Sequence, residues 1–262
     1  MKQFCFLFLI LPAIAWGQRF QLAQPQIRVD SFFFRNSARV AMEFDLDGAS
    51  IHYSTDFRTP TDSTPLYQKP VVLTESGTVR ARAFHPDFAP GQIAEQRAIK
   101  VKLVPDSVRL LALPDSLYAG KGKWTLFDLQ KAGHNLKDGA WLGFRTNDTV
   151  VVQAYFNHPV SCRLLQVSTL FDPGAWVFPP ARVEVYGASG DKEWRYLGAW
   201  MPRPDDSLQN RPAQYERFEK VVLRPTEVER LEIRLIPYGP LPQWHAGAGK
   251  PAWLFLDEIL FQ

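Results

Sequence analysis

Cysteine is nearly absent. Of the two cysteines in 262 residues, Cys5 lies in the leading apolar stretch. Cys162 stands alone beyond it, so a chain that has lost the stretch cannot form an internal disulfide. Its stability must come from apolar burial rather than cross-links. Long apolar runs are also missing. Phe4 to Ile14 is too short to cross a bilayer comfortably, and no later stretch reaches that length. With Lys2 ahead of it and Ala15-Trp16-Gly17 behind, residues 1–17 read as a cleavable signal peptide, cut before Gln18. The expected location is therefore the periplasm or the cell exterior, with no membrane-spanning segment. A lipid anchor would need its cysteine directly after the apolar core, and Cys5 sits at the start. Neither sign of charge dominates: 30 Lys and Arg against 27 Asp and Glu give a formal +3, which speaks against a nucleic-acid partner or an anionic membrane surface. The five histidines include no His-x-x-x-His pair. There is no phosphate-binding glycine loop, serine elbow or Cys-x-x-Cys.

Material for a core is plentiful, with 46% hydrophobic residues, 13% aromatic residues and eight tryptophans. Its spacing has period two. Val40, Met42, Phe44 and Leu46 alternate with Arg39, Ala41, Glu43 and Asp45, the pattern of a half-buried strand. Val79, Ala81 and Ala83 alternate with Arg80 and Arg82 in the same way. So do Val183 and Val185 with Arg182 and Glu184, and Leu231, Ile233 and Leu235 with Glu232 and Arg234. Turn clusters such as Asp47-Gly48, Ser189-Gly190-Asp191 and Pro202 to Ser207 separate these runs, and no amphipathic helix exceeds about two turns. The fold class expected is all-β, two antiparallel β-sandwich domains. The seam falls near Val104-Pro105-Asp106-Ser107, giving domains at 18–104 and 105–262.

Two segments resemble known families. Ile51-His52-Tyr53-Ser54-Thr55-Asp56 with Thr59-Pro60, Ser63-Thr64-Pro65-Leu66-Tyr67, Pro70-Val71-Val72-Leu73 and Thr78 to Phe84 resembles the immunoglobulin-like chitobiase/β-hexosaminidase C-terminal domain of secreted glycosidases. Phe57 stands where that family's turn carries glycine, so the turn is expected to be built differently or to place another residue at positive φ. From about residue 106 onward, Trp141-Leu142-Gly143-Phe144 with Asn147-Asp148, Ala175 to Pro180, Trp244 to Gly249 and Ala252 to Ile259 resemble the discoidin-like (F5/8 type C) jelly roll that ends family 20 β-N-acetylhexosaminidases. The order of the two segments matches the tail of those enzymes. Their catalytic (β/α)₈ barrel has no counterpart in these residues. The resemblance thus implies a non-catalytic accessory protein.

Candidate sites follow from both sources. Asp257-Glu258 is an adjacent carboxylate pair, but strict strand alternation would send the two to opposite faces, unable to flank one glycosidic bond. Discoidin-like domains often hold a structural calcium ion. By order in the chain Asp128 and Glu258 match its acidic ligands, and Asn135 and Asp138 supply nearby oxygens. Leu129 stands where that loop usually has glycine. Trp141, Arg145, Asn147, Trp244 and His245 lie in expected loops and combine flat aromatic faces with planar polar groups, the chemistry for holding a sugar. Trp176 and Trp253 read as core. The partner expected is a hexosamine- or galactose-type glycan. The alternative is a structural module bracing a separate glycoside hydrolase or envelope protein.

Overall fold

The computed structural model describes residues 19–203 and 207–262, so the expected signal peptide lies outside the described residues. The strands run Gln26–Val29 (β1), Phe33–Phe34 (β2), Ala38–Glu43 (β3), Ser50–Ser54 (β4), Val71–Leu73 (β5), Gly77–Phe84 (β6), Ala94–Lys100 (β7) and Ser107–Leu110 (β8), and continue with Leu142–Phe144 (β9), Val150–Ser161 (β10), Leu164–Phe171 (β11), Arg182–Ala188 (β12), Arg195–Trp200 (β13), Gln214–Val222 (β14), Glu227–Ile236 (β15) and Leu254–Phe261 (β16). Helix is confined to short 3-10 turns at Ser116–Tyr118 and Gly122–Phe127 among the described residues. The molecule is all-β.

Backbone contacts divide the described chain into two compact units. One holds residues 19–28, 40–71 and 78–96, and the other holds 29–39, 72–77 and 97–262. Segments 29–39, 72–77 and 97–104 therefore group with the second unit, although they precede the seam expected near residue 104.

In the first unit β4 pairs antiparallel with β6, from Ser50 opposite Phe84 to Ser54 opposite Arg80. Val79, Ala81 and Ala83 are buried as their alternation with arginine requires, and Val40 and Met42 join them. β3 stops at Glu43, short of the expected Leu46. Leu46 is exposed and its carbonyl accepts the Ala49 N–H at 3.1 Å, closing a turn that Gly48 completes at φ +75°.

The second unit is a two-sheet sandwich. One sheet has the order β13-β12-β15-β10-β8, the other β14-β11-β16-β9. Alternate residues meet between them: Val150, Val152 and Ala154 of β10, Val183 and Val185 of β12, Leu231, Ile233 and Leu235 of β15, Leu165 and Val167 of β11, and Leu254 and Leu256 of β16 share one buried cluster. Cys162 is a free thiol buried in this core. A smaller cluster joins Phe33, Ile99 and Val101 to Leu260 of β16. The register gathers strand ends. Val150, Leu235, Val183 and Trp200 form one row across the first sheet, and Phe171 faces Gln214 while Leu254 faces Phe144 in the second.

Phe57 and Leu129, the two residues standing where the resembling families have glycine, both adopt the left-handed conformation themselves, at φ +65° and +60°. Phe57 itself takes the positive φ, where the sequence reading expected a differently built turn or another residue in that role. The side chains around Phe57 hold it there. Arg58 Nε donates to Asp56 Oδ2 at 2.6 Å, Ser54 Oγ donates to the Arg58 carbonyl at 2.5 Å, and Arg80 donates to the Phe57 carbonyl with its guanidinium 5.9 Å over the ring. A β-branched side chain tolerates this region far less than Phe or Gly. Phe57→Val should therefore lose about 1–2 kcal/mol in urea denaturation, while Phe57→Gly stays within about 1 kcal/mol of the parent. Equal losses in both variants would assign the stability to the ring instead of the backbone.

Candidate functional site

The strand-end row of the second unit carries a cavity of about 180 Å³ lined by Pro179, Pro180, Trp200, Pro202, Arg203, Ser207, Leu208, Arg217, Tyr238 and Trp244. Each sheet contributes to its wall. Trp200 is the last residue of β13, Tyr238 follows β15, Arg217 lies near the start of β14, and Trp244 rides on the loop before β16. Three aromatic side chains and three prolines are set among the polar groups of Arg203, Ser207 and Arg217, so the lining is mixed, apolar faces beside hydrogen-bonding groups. Trp244 is 38% exposed, so it offers a face that solvent, and hence a ligand, can reach.

Arg217 is the fixed polar group. Its Nε and Nη2 donate to the two oxygens of Glu219, and Nη1 donates to Gln214 Oε1 at 3.2 Å. Thr169 Oγ1 adds a bond to Glu219 at 3.3 Å. The pair is nearly buried, at 11% and 3% side-chain exposure, and breaking such a pair leaves an uncompensated charge inside. The fork is thereby held in place at the cavity with its charge balanced, a geometry suited to donating hydrogen bonds in one plane.

The sequence-predicted glycan residues separate. Trp244 reaches the cavity. Trp141 does not, and its expected role is corrected. It is fully buried, its Nε1–H donates to the Gly133 carbonyl at 3.0 Å, and it packs with Leu170 and Phe255. The reason is that Trp141 precedes β9 directly and lies over the outer side of the sheet, beneath the 128–140 segment. His245 is buried as well. Its Nε2 is 2.7 Å from the Pro173 carbonyl and Nδ1 accepts the Gly247 N–H at 3.0 Å. Both ring nitrogens are used to hold its loop, so it too is removed from the ligand surface. Arg145 and Asn147 are exposed, Arg145 with its guanidinium 5.6 Å over Trp253, but neither lines the cavity. Trp176 braces the glycine loop: a Cβ on Gly247 would come within 2.9 Å of its ring. Trp200, Tyr238 and Arg217 were missed by sequence reading because each sits at or near a strand end, where period-two patterning assigns no face.

The carboxylate pair also departs from the sequence expectation. Ser168 faces Glu258 while its neighbour Thr169 faces Leu256, so Asp257 is an extra residue, a β-bulge. Leu254 and Leu256 enter the core before it and Ile259 and Phe261 after it. Asp257 and Glu258 consequently share the other side of the strand instead of opposite faces. Both are fully buried, so neither can reach a glycosidic bond. Asp257 Oδ2 accepts from Lys131 Nζ at 2.8 Å and from the Ala132 N–H at 3.0 Å. Neither oxygen of Glu258 has a hydrogen-bond partner of ordinary geometry among the described residues, although the Leu129 backbone N–H acts on it. Burial, then the nearby charges of Asp128 and Asp257, push the Glu258 carboxyl up to about 10.

Of the four residues expected to bind calcium, only Asp128 and Glu258 interact. Asp128 lies close enough to raise the Glu258 carboxyl, while its own oxygens accept from Lys121 Nζ and the Gln130 N–H, each at 3.0 Å. Asn135 and Asp138 instead close their own exposed turns, accepting the N–H groups of Lys137 at 3.1 Å and Ala140 at 2.9 Å. No group of three or more His, Cys, Asp or Glu with metal-binding geometry occurs among the described residues, so Asp138 does not join the acidic pair.

Residues 31–95 match the family model described as chitobiase/beta-hexosaminidase C-terminal domain, in agreement with the resemblance read from residues 51–84. Among solved structures, the C-terminal domain of a chitobiase from Bacteroides fragilis shares 14% identity over 61% of this chain and 95% of its own, at a TM-score of 0.38. A chitosan-binding module of a chitosanase/glucanase from Paenibacillus sp. IK-5 shares 5% over 61% and 96%, also at 0.38. A SusE-like protein shares 12% over 90% and 95%, again at 0.38. A comparison with curated protein sequences returned no match.

The state of Glu258 gives a measurable pH dependence. An unfolded glutamate titrates near 4.3, whereas the native carboxyl keeps its proton to about 10. Between those values the native state binds more protons than the unfolded one, so stability falls as pH rises. In the presence of a chelator Glu258→Gln should melt with the parent at pH 4 and above it at pH 8–9, the gap widening with pH. Parallel melting profiles would show that Glu258 is not held protonated.

Proposed function

We propose that this chain is a secreted, non-catalytic carbohydrate-binding accessory protein that recognises a hexosamine- or galactose-type glycan through the cavity of its second unit. The carrying observation is that Trp200, Tyr238 and Trp244 converge on one cavity with the braced guanidinium of Arg217 among them. Aromatic faces take the C–H side of a sugar ring while planar donors order its hydroxyls, and a cavity of about 180 Å³ suits one such ring. The family that residues 31–95 match carries chitobiase and beta-hexosaminidase in its name, which favours the hexosamine side. The burial of Asp257 and Glu258 supports a role without hydrolysis. Export to the periplasm or cell exterior follows from residues 1–17 and forms part of the same proposal.

A calcium ion belongs to this reading as a structural element away from the cavity. Glu258, with two unpartnered buried oxygens, and Asp128 beside it fit a hard cation by donor chemistry, whereas Asn135 and Asp138 do not. A bound cation would neutralise both carboxylates and tie the 128–131 segment to β16. The second reading, a module bracing a separate glycoside hydrolase or envelope protein, is favoured by one feature, the exposure of Leu111, Leu113 and Leu117 from the end of β8 into the first 3-10 turn.

Residues 18–262 on a broad glycan array, with calcium and again with chelator, test the proposal. Saturable binding to a defined sugar is expected, weakened about tenfold or more by Trp244→Ala. Calcium should raise the melting temperature of the parent but not of Glu258→Gln. A blank array from folded protein would favour the bracing role.

A further inference from the structure

The cavity continues past two of its own wall residues. Trp200 and Arg217 also line a larger, more open recess of about 860 Å³ that follows β14 from Ala213 to Glu219 and includes His134. β14 is the terminal strand of its sheet, with β11 on one side only, so the recess runs along a sheet edge. It carries a built aromatic platform. The rings of His134 and Tyr215 lie against each other, centroids 4.1 Å apart and tilted by 31°, and the Tyr215 hydroxyl donates to Asp172 Oδ2 at 3.2 Å. That bond fixes the orientation of the platform. Gln214 and Glu216 add an amide and a carboxylate to the same lining.

We propose that the two recesses form one binding track: the cavity takes a terminal sugar, and the β14 recess takes the following sugars of the same chain against the His134–Tyr215 platform. The ligand is then an oligosaccharide and not a single sugar. This rests on the carbohydrate reading above and adds its chain length. Three observations carry it. The recesses share Trp200 and Arg217 in their linings, so they adjoin, and a chain seated in one reaches the other directly. The second is several times larger than the first. Its aromatic pair is braced by Asp172, as a stacking surface for a ring requires, whereas a peptide strand added to β14 would use the backbone edge and have no need of that platform.

Calorimetric titration of residues 18–262 with N-acetylglucosamine and its β-1,4-linked oligomers up to the pentamer, and with galactose and its β-linked oligomers, tests the track. Affinity in one series should rise about tenfold or more from one sugar to three. His134→Ala and Tyr215→Ala should bring the trimer-to-monomer ratio toward one, while Trp244→Ala weakens every length alike. His134 is exposed, so its variant keeps the test readable if Tyr215→Ala fails to fold. Equal affinity at all lengths in the parent, or a ratio untouched by both variants, would overturn the track and leave the cavity standing as a single-sugar site. Failure of every sugar to bind folded protein would overturn the carbohydrate reading itself, and the track with it.

Discussion

Side chains of two antiparallel sheets interlock along one apolar layer in the second unit, and strand register is what this layer enforces. A slip of one residue in β15 would withdraw Leu231, Ile233 and Leu235 from the core and drive Glu232 and Arg234 into it. With Cys162 the one cysteine among the described residues, and free, no cross-link supplements that constraint. The register in turn decides which residues stand at the strand ends. Because Trp200 falls in the row of Val183, Leu235 and Val150, the loops that follow β13 and β15 open at the same end, and the cavity exists for that reason.

Where the ladder departs from regularity, it does so around charge. The extra residue at Asp257 lets β16 keep four apolar side chains in the core while two adjacent carboxylates occupy its other side. One oxygen of Asp257 is bonded to Lys131 and the Ala132 N–H while burial pushes its carboxyl up; Glu258 is held protonated by burial and by the carboxylates beside it. Burial of an unpaired charge is costly enough that neutralisation, by a proton or by a cation, is the physical alternative. Leu129, strained at positive φ next to this cluster, belongs to the same local compromise, in which chain shape is set by the polar groups it must serve.

The cavity obeys the opposite logic. Its fixed polar group is compensated: Glu219 pairs with Arg217, Thr169 and Gln214 complete the bonding, and the Arg217–Glu219 pair is held in place with no net charge. Such a site discriminates by hydrogen-bond direction and aromatic shape more than by attraction over distance. Exposed Trp244 and the ring pair His134–Tyr215 extend the same chemistry over the surface.

Period-two alternation of apolar and charged residues was enough, by itself, to establish the all-β class, the buried faces of β6, β12 and β15, and the loop that carries Trp244, because side-chain direction in a regular strand follows from position alone. The resemblance at residues 51–84 was legible for a similar reason, since turn residues at fixed offsets encode local backbone shape. Tertiary structure alone decided the rest. Trp141 and Trp244 look alike in sequence, both beside turns; one is sealed under the 128–140 segment and the other exposed, which depends on what packs over each. Asp257 and Glu258 share a side only because of a bulge, which shows in the pairing of β16 with β11 and not in the spacing of either sequence. Trp200, Arg217 and Tyr238 come from three separate strand ends, and their convergence is a property of how two sheets meet, which no local window of sequence contains.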